Sequence, residues 1–323
     1  MKIVHYKLKS DRLHSARLGI LVDEKTILDP NYSFELKFQK IFSNPRERAI
    51  DYCPPSLHRL LRLKNNPIDI LKEALNLKED EKYIINFSTS LIKFESPLDK
   101  IETYRDFYAH EKHVKTGFQK RNEEVPPAWY EIPAYYKGAT QGFIGHEDEI
   151  LWPSYTDILD YELELGMIIG KDGRNISVED ASKYIFGFTI LNDISARDIQ
   201  RKEMSIRLGP AKGKDFCSIL GPVIVTFDEF HFKEPNLLMT AKINGIEWSR
   251  GFSGDSQFTW AQMINHVSKD EWILAGDLFG SGTVGTGCGL ELDKWIKSGD
   301  IIELEIEKIG KLINKVGNKK LKK

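Results

Sequence analysis

The sequence predicts a strand-dominated α+β protein, and three observations carry that prediction. Runs with strand patterning dominate the chain after about residue 95. The helix-like stretches are short and scattered. Strand–helix–strand alternation is rare, which argues against a doubly wound parallel sheet. With 323 residues, of which 41% are hydrophobic, the chain can fill a sizeable core and has room for about two domains.

Residues 2–8 and 17–29 read as strands, the second ending at the turn signal Asp29-Pro30-Asn31. The stretches 34–42 and 56–63 have helical apolar spacing, as does 68–77 after Pro67. Together these form a small α+β domain over 1–95, with a boundary near Phe94-Glu-Ser-Pro97. The second domain covers 96–318 and is mostly strand, with helix-like stretches at 178–184 and 259–268. The basic tail 319–323 reads as a solvated end.

Composition excludes several classes. A net charge of −2 gives no electrostatic footprint for nucleic acid or a membrane surface. The first nine residues intersperse charge too regularly for a signal peptide, and no apolar run approaches the ~18 residues of a membrane span. Cys53, Cys217 and Cys288 are few and widely separated, so neither a disulfide framework nor a cysteine zinc site is implied. The expected location is the cytoplasm.

The chemistry concentrates in acidic clusters. In Asp160-Tyr-Glu-Leu-Glu-Leu-Gly166, Glu162 and Glu164 share one face of a strand while Leu163 and Leu165 share the other. Two readings fit: a site for a hard divalent cation with oxygen ligands, or an alternating surface strand with polar residues outward. Further on, the apolar run 184–191 ends in Asn192-Asp193, and an acid there needs a helix cap or a metal. Upstream, Asp106 stands among aromatics in Tyr104-Arg-Asp-Phe-Tyr108, just before His110-Glu-Lys-His113.

Taken in order, these segments resemble the fumarylacetoacetate hydrolase family. The residues that carry the resemblance begin with Asp106-Phe-Tyr, His113 and Glu162-Leu-Glu164. They continue through Asn192-Asp-Ile-Ser-Ala-Arg-Asp-Ile-Gln200, Leu208-Gly-Pro-Ala-Lys-Gly-Lys214, Gly280-Ser-Gly-Thr-Val284 and Leu290-Glu291. The match spans roughly residues 100 to 317 and is far weaker before residue 95. It implies a mixed β-roll for the larger domain and one divalent ion held by Asp106, Glu162, Glu164 and Asp193. An all-oxygen set suits Mg²⁺, Ca²⁺ or Mn²⁺. By the same resemblance His113 is the base that activates water, Glu291 orients it, and Lys214 offsets carboxylate charge or stabilises a leaving carbanion. Tyr108, Arg121, Tyr136, Gln200 and Thr283 match substrate-contacting positions. A homodimer is also implied.

Three motifs are decoys. Gly280-Ser-Gly-Thr-Val-Gly285 matches a dinucleotide fingerprint but runs into more glycines and a strand rather than opening a helix. The two histidines of His110-Glu-Lys-His113 are three apart, not four, so a zincin reading fails. Lys171-Asp-Gly-Arg-Asn175 resembles part of a calcium loop but reads as a hairpin turn.

The resemblance implies a metal-dependent hydrolase that cleaves a C–C bond in a 1,3-diketo acid of the fumarylacetoacetate or acylpyruvate type. The alternatives are a keto-acid decarboxylase, hydratase or isomerase using the same enolate chemistry, or a protein that binds metal and keto acid without turnover. One departure bears on specificity: Met204 stands where the fumarylacetoacetate-cleaving enzymes carry a tyrosine. A missing hydrogen bond to a charged group is worth ~1.5–3 kcal/mol, or about ten- to a hundredfold. An acylpyruvate is therefore expected to have a higher kcat/KM than fumarylacetoacetate, with Met204→Tyr narrowing the gap. Competition between the two substrates checks this, and a tenfold wild-type preference for fumarylacetoacetate contradicts it.

Overall fold

The computed structural model describes residues 1–10, 16–88 and 91–319; residues 320–323 of the basic tail lie outside them. The protein is strand-rich, and among the described residues its largest element is a mixed 13-stranded sheet. Its centre runs in the order Ile185–Asn192, Leu163–Ile169, Leu278–Gly280, Tyr104–Phe107, Tyr135–Gly138. Most pairs are antiparallel, but Leu278–Gly280 lies parallel to Tyr104–Phe107. A second, five-stranded sheet contains Leu238–Ile243, Ile246–Phe252, Ile301–Ile306 and Gly310–Val316, edged by Glu149–Ile150. A continuous apolar core draws on both sheets, with Leu165, Met167, Phe188 and Ile190 from the first and Met239, Leu304 and Leu312 from the second.

The N-terminal segment joins the large sheet directly. Strand Lys2–Leu8 pairs with Ile224–Thr226 on one side and Arg17–Asp23 on the other. Its helices cover the opposite face of the sheet, where Phe34, Leu57, Leu60 and Leu71 pack with Ile168, Phe186 and Ile224. The helix starts follow sequence chemistry. Asp29 caps Pro30–Gln39, and Ser56 caps Leu57–Leu61. Asn66 caps Pro67–Asn76, with Pro67 in the first turn, where its missing N–H costs nothing.

Several expectations need correction. The 17–29 strand is two strands, Arg17–Asp23 and Thr26–Leu28, folded back on each other. The 178–184 helix shortens to one 3₁₀ turn, Ala181–Tyr184. The 171–175 segment is not a local hairpin, because Gly173–Arg174 pairs with the distant Trp272–Ile273. The strand expected after the glycines at 285–289 is instead a short helix, Gly289–Leu292, nucleated by Asp160, whose carboxylate accepts from the backbone N–H groups of Gly289 (2.7 Å) and Leu290 (2.9 Å). The helix Trp260–Ser268 agrees closely with the sequence, starting at Thr259 in a capping box with Gln262.

Gly282 makes the turn that follows the central strand Leu278–Gly280. It sits at φ +77°, and a Cβ there would lie 2.2 Å from the Phe107 carbonyl oxygen. Both the dihedral and the contact require glycine. Gly282→Ala is expected to lower stability by more than ~1 kcal/mol, read as a shift in the urea unfolding midpoint.

Candidate active site

The central strands end together, and that brings the acids together. Asp106 pairs with Gly280 on one side and Tyr136 on the other. Glu164 lies opposite Leu191 on the neighbouring pair, and Leu163 lies opposite Asn192, which places Asp193 just beyond the ladder. Glu162 makes an isolated bridge to Cys288. Every residue of Leu163–Ile169 is buried, on both faces. The alternating surface strand is therefore excluded, and Glu164 is fully buried.

Oxygens of Asp106, Glu162 and Glu164 all lie within 4.8 Å of one another. Gly280 leaves the space for them: a Cβ there would stand 2.3 Å from Asp106 Oδ1 and 3.0 Å from Glu164 Oε2. Glu164 Oε2 is buried and has no hydrogen-bond partner. Burial and the neighbouring Asp193 charge push Asp106 well above the ordinary carboxylate range. Burial and the charges of Asp106, Glu162 and Asp193 do the same to Glu164. An orphaned oxygen inside a cradle of hard donors fits a divalent cation such as Mg²⁺, Mn²⁺ or Ca²⁺.

Asp193 stands at the edge of this cluster, tied to other groups. It accepts from Tyr136 (2.6 Å), Lys214 (2.5 Å) and Ser218 (2.9 Å). Lys214 is buried and bridges Asp193 to Glu162, with Nζ at 2.5 Å from each. Burial opposes its charge, but Asp193 and Glu162 outweigh burial and raise its pKa. Burial likewise opposes ionisation of Glu162, yet Lys214 and Arg197 hold its carboxyl down at about 2. Tyr136, matched by resemblance to a substrate-contacting position, is partly buried and donates to Asp193.

Arg197, Asp160 and Glu203 were not assigned roles from the sequence. Arg197 is buried and forms ion pairs with Asp160 (2.7 Å) and Glu162 (2.8 Å), and it donates to Gln200 (2.9 Å). Its signal was legible, since a guanidinium directly after the apolar Ile194-Ser-Ala196 needs a carboxylate. The Glu203 carboxylate accepts from three successive backbone N–H groups, those of Ala211 (3.1 Å), Lys212 (2.6 Å) and Gly213 (3.1 Å). It thereby fixes the loop that delivers Lys214. No local sequence pattern announces a carboxylate held by a loop eight residues away.

His113 lies on the helix Glu111–Gln119 and is buried. Its Nδ1 lies 2.7 Å from Glu291 Oε1, and Glu291 Oε2 accepts from the Thr286 backbone N–H at 2.9 Å. The Tyr108 ring meets the imidazole edge-on at 5.4 Å. Burial pushes the Tyr108 phenol up to about 12, so it is a donor at neutral pH. Thr283 donates to Glu164 at 3.3 Å. Arg121 is half-exposed, paired with Glu123 (2.9 Å) and stacked on Phe118. Met204 is half-exposed, one turn beyond Gln200 on the helix Arg197–Ser205.

Residues 102–317 match the model of the fumarylacetoacetate (FAA) hydrolase C-terminal domain. The chain belongs to the fumarylacetoacetate hydrolase family. It is 32% identical over 313 residues to the oxaloacetate tautomerase YisK of Bacillus subtilis, covering 93% of this chain and 96% of that one. It is also 32% identical over 200 residues to human mitochondrial oxaloacetate tautomerase FAHD2A, covering 61% of this chain and 62% of that protein. The fold is that of the fumarylacetoacetate hydrolase of Exiguobacterium antarcticum, with a TM-score of 0.73 at 23% identity over 99% of this chain and 100% of the other. A maleylpyruvate hydrolase of Sphingobium sp. SYK-6, solved with manganese(II) and pyruvate, shares the fold at a TM-score of 0.70 and 19% identity over 99% of this chain and 100% of that one.

The raised pKa of Glu164 has a definite sign. A carboxyl whose folded pKa lies above its unfolded value costs stability as pH rises beyond the unfolded value near 4.3. In chelator-treated protein, Glu164→Gln is therefore expected to raise Tm at pH 7, with the gain shrinking towards pH 4. Thermal unfolding across that range checks the trend, and an equal or lower Tm at pH 7 contradicts it.

Proposed function

We propose that this protein interconverts the enol and keto forms of a small 2-oxo dicarboxylic acid of the oxaloacetate class, in a divalent-metal-dependent reaction. The observation that carries the reading is the buried cluster of Asp106, Glu162 and Glu164 beside the His113–Glu291 pair, in a chain alike over nearly its whole length to an oxaloacetate tautomerase. A divalent ion held by these acids would supply Lewis-acid polarisation of the 2-oxo and carboxylate oxygens.

The chain's own groups have separate tasks. Glu291 accepts from His113 Nδ1–H, which leaves Nε2 as the nitrogen able to carry a proton to or from C3 of the acid. Lys214 and Arg197 keep Glu162 ionised at neutral pH and place positive charge beside the developing enolate. Tyr108 and Thr283 border the site as hydroxyl donors, and Gln200, held by Arg197, lines its rim. Arg121, free to leave Glu123, suits the distal carboxylate of a dicarboxylic acid.

The second reading is hydrolysis of a C–C bond in an acylpyruvate, and the same His113–Glu291 pair favours it, since Nε2 could equally take a proton from water. The two readings separate by product. Tautomerisation removes enol absorbance with no new fragment, whereas hydrolysis releases pyruvate. A panel of oxaloacetate and acylpyruvates with Mg²⁺ or Mn²⁺ decides between them.

Chelation is expected to abolish activity, and His113→Ala to lower turnover by ~10²–10⁴ while metal affinity is retained. Glu291→Gln should lose a comparable amount, because the imidazole loses its orienting acceptor. Wild-type turnover in the His113 variant would contradict the proton-transfer role, and full activity in metal-free protein would contradict the metal.

A further inference from the structure

His113, Cys288 and Glu291 offer a nitrogen, a sulfur and an oxygen that all lie within 4.8 Å of one another. Cys288 Sγ is 3.9 Å from His113 Nδ1 and 3.6 Å from Glu291 Oε1, and the nitrogen and oxygen are 2.7 Å apart. A tetrahedral zinc site with ordinary bond lengths sets N···S and S···O at about 3.5–3.6 Å and N···O at about 3.3–3.4 Å. Two of the three edges are thus nearly in place, and the third needs His113 and Glu291 to part by about 0.6 Å. Cys288 is fully buried directly behind the pair, and no step of the proposed reaction uses it.

We infer that His113, Cys288 and Glu291 form an inhibitory site for a soft divalent ion, Zn²⁺ or Co²⁺, separate from the all-oxygen cluster. The ligand sets sort the metals. Asp106, Glu162 and Glu164 present only carboxylates, which suit Mg²⁺, Mn²⁺ and Ca²⁺, whereas a thiolate and an imidazole select zinc and its neighbours. On binding, the Cys288 thiol releases its proton to solvent and bonds the ion through sulfur. The hydrogen bond between His113 Nδ1 and Glu291 Oε1 breaks, Nδ1 gives up its proton to solvent while Nε2 takes one up, and the neutral Nε2–H imidazole then ligates through Nδ1 as Glu291 ligates through Oε1. The fourth position is left for water. Because the ion replaces the thiol proton, binding releases a proton and affinity climbs with pH. With its orienting acceptor withdrawn and its ring re-aimed, His113 no longer moves the substrate proton. This inhibition rests on the proton-transfer role proposed above; the coordination itself does not.

The test uses the full chain loaded with Mg²⁺ and titrated with Co²⁺. A thiolate-to-cobalt charge-transfer band in the near ultraviolet is expected, because the carboxylate cluster contains no sulfur. The band should vanish in Cys288→Ser and Cys288→Ala, persist in Cys217→Ala, and be removed by competing Zn²⁺. In the keto-acid assay, Zn²⁺ should lower wild-type turnover at least tenfold and leave Cys288→Ser nearly unaffected. Absence of the band in wild type, or its survival in both Cys288 variants, overturns the site. Equal zinc inhibition of wild type and Cys288→Ser overturns the inhibitory role. A protein with no keto-acid activity but a Cys288-dependent band contradicts the functional reading and supports the site.

Discussion

The constraint on which the rest of this structure depends is the burial of more negative charge than the protein itself neutralises. Asp106, Asp160, Glu162, Glu164 and Asp193 converge in the interior, and among the described residues Lys214 and Arg197 are the cations that pair with them there. Both are committed to Asp160, Glu162 and Asp193. Asp106 and Glu164 therefore stay uncompensated, and their raised affinity for protons expresses that imbalance. Carboxylates in an apolar interior remain charged only when a countercharge reaches them. A hard cation would complete the set.

Much of the surrounding architecture serves to hold that arrangement. The central strand Leu278–Gly280 separates Leu163–Ile169 from Tyr104–Phe107, and its last residue is a glycine because any side chain would occupy the space between Asp106 and Glu164. Two further carboxylates act on loops rather than on the reaction. Asp160 caps the short helix bearing Glu291, and Glu203 gathers the loop ahead of Lys214. The positions of Glu291, the partner of His113, and of the buried Lys214 ammonium thus depend on hydrogen bonds to backbone.

The two reactions proposed for this protein, tautomerisation and C–C hydrolysis, would draw on the same geometry, because both pass through an enolate that a Lewis acid stabilises. In that proposal they differ in whether His113 would exchange its proton with carbon or with water. Full-length likeness to a tautomerase favours the carbon, and the intact His–Glu pair keeps the water within reach.

The sequence by itself determined the local grammar and the identity of the acids. Capping residues Asp29, Ser56, Asn66 and Thr259 stand where the helices begin, and the spacing of Glu162 and Glu164 placed both on one face of a strand. The ordered motifs from Asp106 to Glu291 identified the family. Tertiary structure decided the rest, because it concerns pairs far apart in the chain. Arg197 with Asp160, Lys214 with Asp193, and Glu203 with the 211–213 amides meet only after the strands align. The expectation of a hairpin at 171–175 failed for the same reason. Local patterning reports which face a residue takes, whereas burial depends on what the sheet later packs against that face.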